Sequence, residues 1–269
     1  MSRTFKLTIA YDGTDFAGWQ VQPGKQTIQG LLERALQRIT RQHVQVTGSG
    51  RTDSGVHALA QVASCTLPQW RDSAQRLAHA MNAHLPNTVV VRESMEAPKD
   101  FHAIRDAIGK RYRYQLQVGG TRDVFEYRYR WHLHGSLDLE RMRAAAARFV
   151  GRHDFASFQA AGADRKTTTR EIRECQLIQQ PTSTPSNLHL AIEVEADGFL
   201  YNMVRNIVGT LVEVGRRKHP PEWIDEVIAA LNRKAAGQTA PAQGLFLVRV
   251  DYPFPLDQST NASGEVLVP

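Results

Sequence analysis

The ten residues Gly48-Ser49-Gly50-Arg51-Thr52-Asp53-Ser54-Gly55-Val56-His57 crowd a guanidinium, a carboxylate, hydroxyls and an imidazole into one short stretch. The glycines at 48, 50 and 55 leave the backbone free to take positive φ and to approach a ligand closely. Asp53 is the only carboxylate between Glu33 and Asp72, so any chemistry here that needs an acid falls to it. A carboxylate held in this way acts as a nucleophile or a general base. The plainer reading is a turn in which Asp or Ser bonds its own backbone. No Gly-Lys-Ser/Thr follows, which argues against a phosphate-cradling P-loop. His57, four residues after Asp53, would suit a shared metal only on a helix, where Gly55 is out of place.

Elements that must position this loop are legible on either side. Val44–Thr47 and Leu59–Thr66 read as short strands, which sets the loop at a strand end. Upstream, Phe5, Leu7 and Ile9 alternate with Lys6 and Thr8, a half-buried strand. Phe16 and Trp19 anchor a loop. Thr27 is placed to cap a helix carrying Ile28, Leu31, Leu32, Ala35, Leu36 and Ile39. Asp72 or Ser73 caps a second helix that Pro86 stops, and Val89–Arg92 is a short strand. A turn-rich connection at 97–103 predicts a boundary between an N-terminal half, residues 1–103, and a C-terminal half, residues 104–255.

In the second half, Arg111–Val118 is the cleanest strand. Tyr112, Tyr114, Leu116 and Val118 share one face and Arg111, Arg113, Gln115 and Gln117 the other. Tyr112 there is a core aromatic or part of a site. Tyr127–His132 alternates basic and aromatic residues, a strand with one cationic face that suits phosphates and bases, or a solvated face. Asp138 starts a helix that Gly151 stops. Residues 162–169 have no apolar period and read as a loop. Ile172–Ile178 and Leu188–Val194 are strands joined by a turn at 181–187. Gly198–Gly209 opens a long helix, on which Arg205 lies beside the buried stripe. It needs a partner if buried, or stands exposed with its stem packed. Pro220-Pro221 starts a last helix, Gly244–Val250 is a final strand, and 256–269 reads as a loose tail. The fold class is therefore α+β: two sandwich-like halves, each of strands and about two helices, with a site in the cleft between them.

Composition bounds the function. The chain has 269 residues, 42% of them hydrophobic and 22% charged, and Lys+Arg 33 against Asp+Glu 27 leaves +6. That excess favours a polyanionic partner. Cys65 and Cys175 have no C-x-x-C spacing, so neither a zinc module nor a disulfide framework is expected. The polar N-terminus enters a strand at once, and no signal peptide is expected. The most apolar stretch, Met203–Val214, is broken by Arg205, Asn206 and Glu213, so no membrane span is expected. A cytoplasmic protein is the reading.

The full loop string closely resembles the catalytic signature of the tRNA pseudouridine synthase A family, Gly-Arg-Thr-Asp-Ala/Ser-Gly-Val-His after a small-residue turn. The resemblance covers nearly the whole chain in order. It takes in Tyr11-Asp12-Gly13, Gly18-Trp19-Gln20, Asp100-Phe101-His102-Ala103, Lys110-Arg111-Tyr112-Arg113-Tyr114, His153-Asp154-Phe155-Ala156-Ser157-Phe158, Phe199-Leu200-Tyr201-Asn202-Met203-Val204-Arg205 and Gly244-Leu245-Phe246-Leu247. Ser54 stands where many members have Ala, and the tail after Pro255 has no counterpart in the pattern.

The resemblance implies a pseudouridine synthase fold with a central, mostly antiparallel sheet, and an isomerase that needs no metal or cofactor and works as a homodimer. Its substrate would be uridine at positions 38, 39 and 40 in the tRNA anticodon stem-loop. Asp53 would be the nucleophile, adding to C6, attacking C1′ or removing the 2′ proton. Arg205 would pair with it through two parallel N–H bonds. Tyr112 would stack on the uracil and assist proton removal from C5, with Leu245 against the other face. Arg51 and His57 would hold or displace the target nucleotide. Two other classes compete: a non-catalytic RNA-binding or chaperone protein on the same scaffold, and a hydrolase using Asp53 and His57.

Overall fold

The computed structural model describes residues 2–160, 167–182 and 186–253. Ten strands form one sheet. They are β1 (Arg3–Tyr11), β2 (Thr47–Gly48), β3 (His57–Leu67), β4 (Val89–Ala97), β5 (Gly109–Val118), β6 (Trp131–Leu133), β7 (Gly151–Asp154), β8 (Thr169–Gln180), β9 (Leu188–Ala196) and β10 (Leu245–Asp251). The order is β4-β1-β3-β10-β5-β9-β8-β7, with β2 beside β3 and β6 beside β5. Among the described residues only β10·β3 and β5·β6 are parallel; every other pairing is antiparallel. The helices are α1 (Ile28–Thr40), α2 (Ala74–Asn82), α3 (Leu139–Ala147), α4 (Met203–Gly215) and α5 (Trp223–Ala229).

Period-2 alternation makes the inner face. Phe5, Leu7, Ile9 and Tyr11 of β1 are buried together, as are Tyr112, Tyr114, Leu116 and Val118 of β5. The other face of β5 carries charge and finds its complement across the ladder. Arg113 lies opposite Glu193 and Arg111 opposite Glu195, and Arg111 bonds Glu193 at 2.8 Å and Glu195 at 2.6 Å. Opposite charges in register support the strand pair. Helix starts follow their caps. Thr27 Oγ1 accepts from Gly30 N–H at 3.4 Å, Ser73 rather than Asp72 accepts from Arg76 N–H at 3.2 Å, and Asp138 accepts from Arg141 N–H at 3.2 Å.

One pairing decides where the site forms. The last strand, β10, inserts between β3 of the first half and β5 of the second, so a single sheet runs through both. Phe246 sits level with His57, and Leu245 with Tyr114. The end of β10 is thereby set beside the loop that leads into β3.

Several expectations need correction. Val44–Thr47 is strand only at its end, where Thr47–Gly48 pairs with β3, because Val46 N–H bonds the Glu33 carboxylate instead of a neighbouring strand. β4 runs on to Ala97, well beyond Arg92. Tyr127–Arg130 is turn, not strand: Tyr129 N–H closes back on Glu126 O at 2.8 Å, and strand begins only at Trp131. α3 ends at Ala147, before Gly151. α4 starts at Met203 rather than Gly198, behind Asn202 in the left-handed conformation at φ 60°. The loop predicted at 162–169 and the turn at 181–187 fall partly, and the tail at 256–269 wholly, outside the described residues. Among the described residues no helix is long and apolar enough to cross a membrane.

Candidate active site

The Asp53 loop is held by its own backbone and by buried side chains around it. Ser49 N–H bonds Val62 O at 2.7 Å, Gln61 Nε2 donates to Gly50 O at 2.9 Å, and Lys110 Nζ donates to Ser49 O at 2.7 Å. Trp19 N–H donates to Thr52 O at 2.9 Å, Ser54 Oγ donates to Phe16 O at 2.9 Å, and the Tyr11 and Thr52 hydroxyls share a bond of 2.8 Å. A short loop with so many fixed points is preorganised, which is what a reactive group needs. Gly48 is required by space. A Cβ there would stand 2.4 Å from two ring atoms of Trp19, which is itself buried. Gly48→Ala is expected to lower stability by about 1–3 kcal/mol, the usual cost of overpacking, measured as a drop in chemical-denaturation midpoint at unchanged slope.

Asp53 lines a cleft of about 1020 Å³, together with Arg51, Tyr112, Phe199, Met203 and Leu245. Its side chain is 27% exposed, and Arg205 at 17% reaches it with an Nη1 to Oδ2 distance of 3.6 Å. Burial raises the Asp53 carboxyl above the ordinary aspartate range, and the Arg205 guanidinium opposes that rise. The expected pair of parallel N–H bonds is absent. Arg205 Nε donates to Ala240 O and Nη1 to Asn202 Oδ1, both at 2.7 Å, so the guanidinium is pinned by its own surroundings and offers Asp53 one edge. Left-handed Asn202 at the start of α4 supplies that pin, and its backbone geometry is not readable from residue type.

Tyr112 meets Phe199 edge-on, with ring centroids 5.0 Å apart. Burial, with smaller contributions from Tyr11 and Asp53, pushes its phenol far above the usual tyrosine value. The phenol is therefore neutral, and the residue lines the cleft. Leu245 and Arg51 line the same cleft, and Lys110, Arg152 and Arg170 add further positive charge to its wall.

Two members of the expected set do not line the cleft: Arg205, which stands behind Asp53, and His57, which is buried elsewhere. His57 is 1% exposed, stacked on Phe246 at 4.7 Å and beside Tyr129 at 5.2 Å. It therefore has no surface with which to hold a nucleotide. Its polar partners are Gly13 N–H, Arg128 O, Gln243 O and the Asp12 carboxylate, whereas Asp53 faces Arg205, so the two do not form a hydrolytic pair. Gln61, Lys110 and Phe199 received no site role from the sequence, although the last two lie within the motif strings that carry the resemblance. Gln61 carried a weak signal, since it is a long polar side chain between the apolar residues Ala58–Ala60 and Val62-Ala63 of its strand.

The geometry agrees with the sequence comparisons. Residues 7–104 and 145–253 match a family described as tRNA pseudouridine synthase. A tRNA pseudouridine synthase A of Moorella thermoacetica is 45% identical over 249 residues, covering 92% of this chain and 98% of that one. Its counterpart in Limosilactobacillus fermentum is 42% identical over 260 residues, covering 96% and 99%. The chain belongs to the tRNA pseudouridine synthase family. Among solved structures, a chain of a Cbf5-Nop10-Gar1 complex aligns at 13% identity and a TM-score of 0.34, over 90% of this chain and 57% of that one. Within the synthase family match, Asp53, Arg205 and Leu245 fall in the matched residues, whereas Tyr112 falls in the unmatched stretch between 104 and 145. Tyr112 is tied to the site by β5 pairing with β10, not by the family pattern. Among the described residues of this synthase family member, no group of three or more His, Cys, Asp or Glu could hold a metal ion.

Proposed function

We propose that the chain isomerises uridine to pseudouridine at one or more of positions 38, 39 and 40 in the anticodon stem-loop of tRNA, with Asp53 as the nucleophile. The observation that carries the reading is a half-buried carboxylate beside a pinned guanidinium, in a cleft walled by an aromatic ring and a leucine. In the reaction the N1–C1′ bond breaks and a C5–C1′ bond forms. C5 loses its hydrogen as a proton and N1 gains one, so atoms and electrons balance without a cofactor. The base must be held while detached, and Tyr112 and Leu245 supply apolar contact for that. Asp53 must be ionised to act, and Arg205 favours that form.

A target nucleotide must leave its stack, at a cost of about a few kcal/mol. Arg51, Lys110, Arg152 and Arg170 offset that cost at the phosphates, so binding is expected to weaken with salt. The reading extends to a cytoplasmic homodimer, as the family resemblance implies. The test uses unmodified tRNA carrying uridine tritiated at C5. Tritium released to water, with carbodiimide-dependent primer-extension stops one nucleotide 3′ of positions 38–40 and nowhere else, is the expected result. Tight tRNA binding with no release overturns the proposal and leaves an RNA-binding protein.

A further inference from the structure

His57 closes the signature loop, yet the reaction as described makes no use of it. Its buried ring joins three segments that are distant in sequence. Nδ1 accepts from Gly13 N–H at 3.0 Å, in the turn after β1. Nε2 lies 3.1 Å from both Arg128 O and Gln243 O. An Nδ1 that accepts an amide proton carries none of its own, so the ring proton is on Nε2 and is shared between the two carbonyls. The neighbouring Asp12 carboxylate, 3.2 Å from Nδ1, is already satisfied. Its Oδ1 accepts from Thr14 N–H at 3.0 Å and Thr14 Oγ1 at 2.5 Å, and its Oδ2 from Tyr129 Oη at 2.9 Å. Asp12 therefore makes no demand for a second proton on the imidazole. Burial, opposed by Asp12, also lowers the His57 pKa.

The three segments matter because of what they carry. Gln243 lies two residues before Leu245, one wall of the cleft. Val56, adjacent to His57, donates its N–H to Asp53 O at 3.1 Å. Gly13 presses so closely on Val56 that a Cβ there would fall 1.9 Å from its carbonyl oxygen. The imidazole is thus a strut between the loop that bears Asp53 and the start of β10.

We propose that His57 is a positioning residue for the isomerisation: its Nε2–H, held between the Arg128 and Gln243 carbonyls, fixes the spacing between Asp53 and Leu245 across the uracil site. The proposal rests on the functional reading above. Displacing reacting groups by about 1 Å costs on the order of 100-fold in rate, and the effect belongs to the chemical step, because a ring 1% exposed touches no RNA.

The test compares two isosteric halves of the imidazole. His57→Asn keeps an acceptor near Nδ1 and loses the distal N–H, whereas His57→Gln keeps an N–H near Nε2. Tritium release is measured in single turnover with enzyme saturating, and tRNA affinity by filter binding. His57→Asn is expected to be on the order of 100-fold slower, His57→Gln within about tenfold of wild type, and both to bind tRNA within about twofold. In His57→Ala, imidazole is expected to restore part of the rate. 1-Methylimidazole, added at a pH above its own pKa so that it is the neutral base, accepts but has no N–H to donate, and is not expected to do so. Equal rates for the Asn and Gln variants, equal rescue by the two azoles, or affinity lost in step with rate would each overturn the proposal. Absence of release from wild type in the same assay would instead overturn the proposed function, so the two failures are distinguishable.

Discussion

Asp53→Asn is expected to reduce tritium release by at least about 1000-fold at saturating tRNA, the scale of loss when a covalent nucleophile is removed. Asn has the shape of Asp and keeps an acceptor, so the loop bonds to Thr52 O, Ser54 Oγ and Gly50 O are untouched. Affinity for tRNA is therefore expected to stay within a few-fold, and the loss to appear in the rate alone. The same substitution carries a stability signature of opposite sign. Burial holds the folded-state pKa of Asp53 above its ordinary value of 3.8, with Arg205 only partly opposing. A carboxyl whose pKa is raised on folding favours the folded state below its unfolded pKa and loses that contribution as pH rises through the folded one. At pH 7 the wild type bears the full cost of an ionised, half-buried carboxylate, which Asn does not. Asp53→Asn is expected to melt above wild type at pH 7, with the gap closing below about pH 4. A variant that is inactive and also less stable at pH 7 would mean that the loop had been damaged, not the nucleophile removed. A variant that kept the wild-type rate would end Asp53's role.

How much of this was legible before the structure depends on the range of the interaction involved. Alternation in β1 and β5 and the caps at Thr27, Ser73 and Asp138 are local, and local chemistry decided them. Composition made Asp53 the one acid available in the loop, but left an ordinary turn as the plainer reading; its role as nucleophile came from the resemblance of the full string to the family signature. What could not be read is where β10 goes. Its partners β3 and β5 are both far away in sequence, and nothing within Leu245–Asp251 records that it lies between them. Without that pairing His57 has no assigned environment. Residue type alone presents an imidazole at a reactive loop as a ligand for the nucleotide, and only the stack on Phe246 shows it to be buried. Tyr127–Arg130 failed for a related reason. Alternation predicts a strand, but Tyr129 turns in to bond Asp12 and Arg128 gives its carbonyl to His57. That is a tertiary demand which overrides the local pattern. Arg205 is the intermediate case. Its place beside an apolar stripe left it either buried with a partner or exposed with its stem packed, and its anchors at Ala240 and Asn202 are tertiary contacts that residue type does not record.

Those anchors determine what is expected of Arg205→Met. Met retains the apolar stem and removes the guanidinium, the factor that opposes the rise in Asp53 pKa. The acid limb of the rate profile, which reports ionisation of Asp53, is expected to move to higher pH. The sign follows because a carboxylate without its cation is harder to ionise. The plateau rate is expected to fall by about 100–1000-fold, the range found when one fixed electrostatic partner of a reacting group is deleted. Arg205→Lys separates the two contributions. It keeps a positive charge near Oδ2 and so holds the acid limb close to the wild-type position, but its single ammonium cannot bond Ala240 O and Asn202 Oδ1 while also facing Asp53. Its plateau is expected to fall about tenfold with little shift along the pH axis. The measurement is single-turnover tritium release between pH 5 and 9 for wild type, Lys and Met. If Met keeps the wild-type acid limb, the group titrating there is not Asp53, or Arg205 does not face it during the reaction. If Lys and Met lose rate equally with neither limb displaced, Arg205 serves as a strut on α4, and the ionisation of Asp53 is governed by the cleft alone.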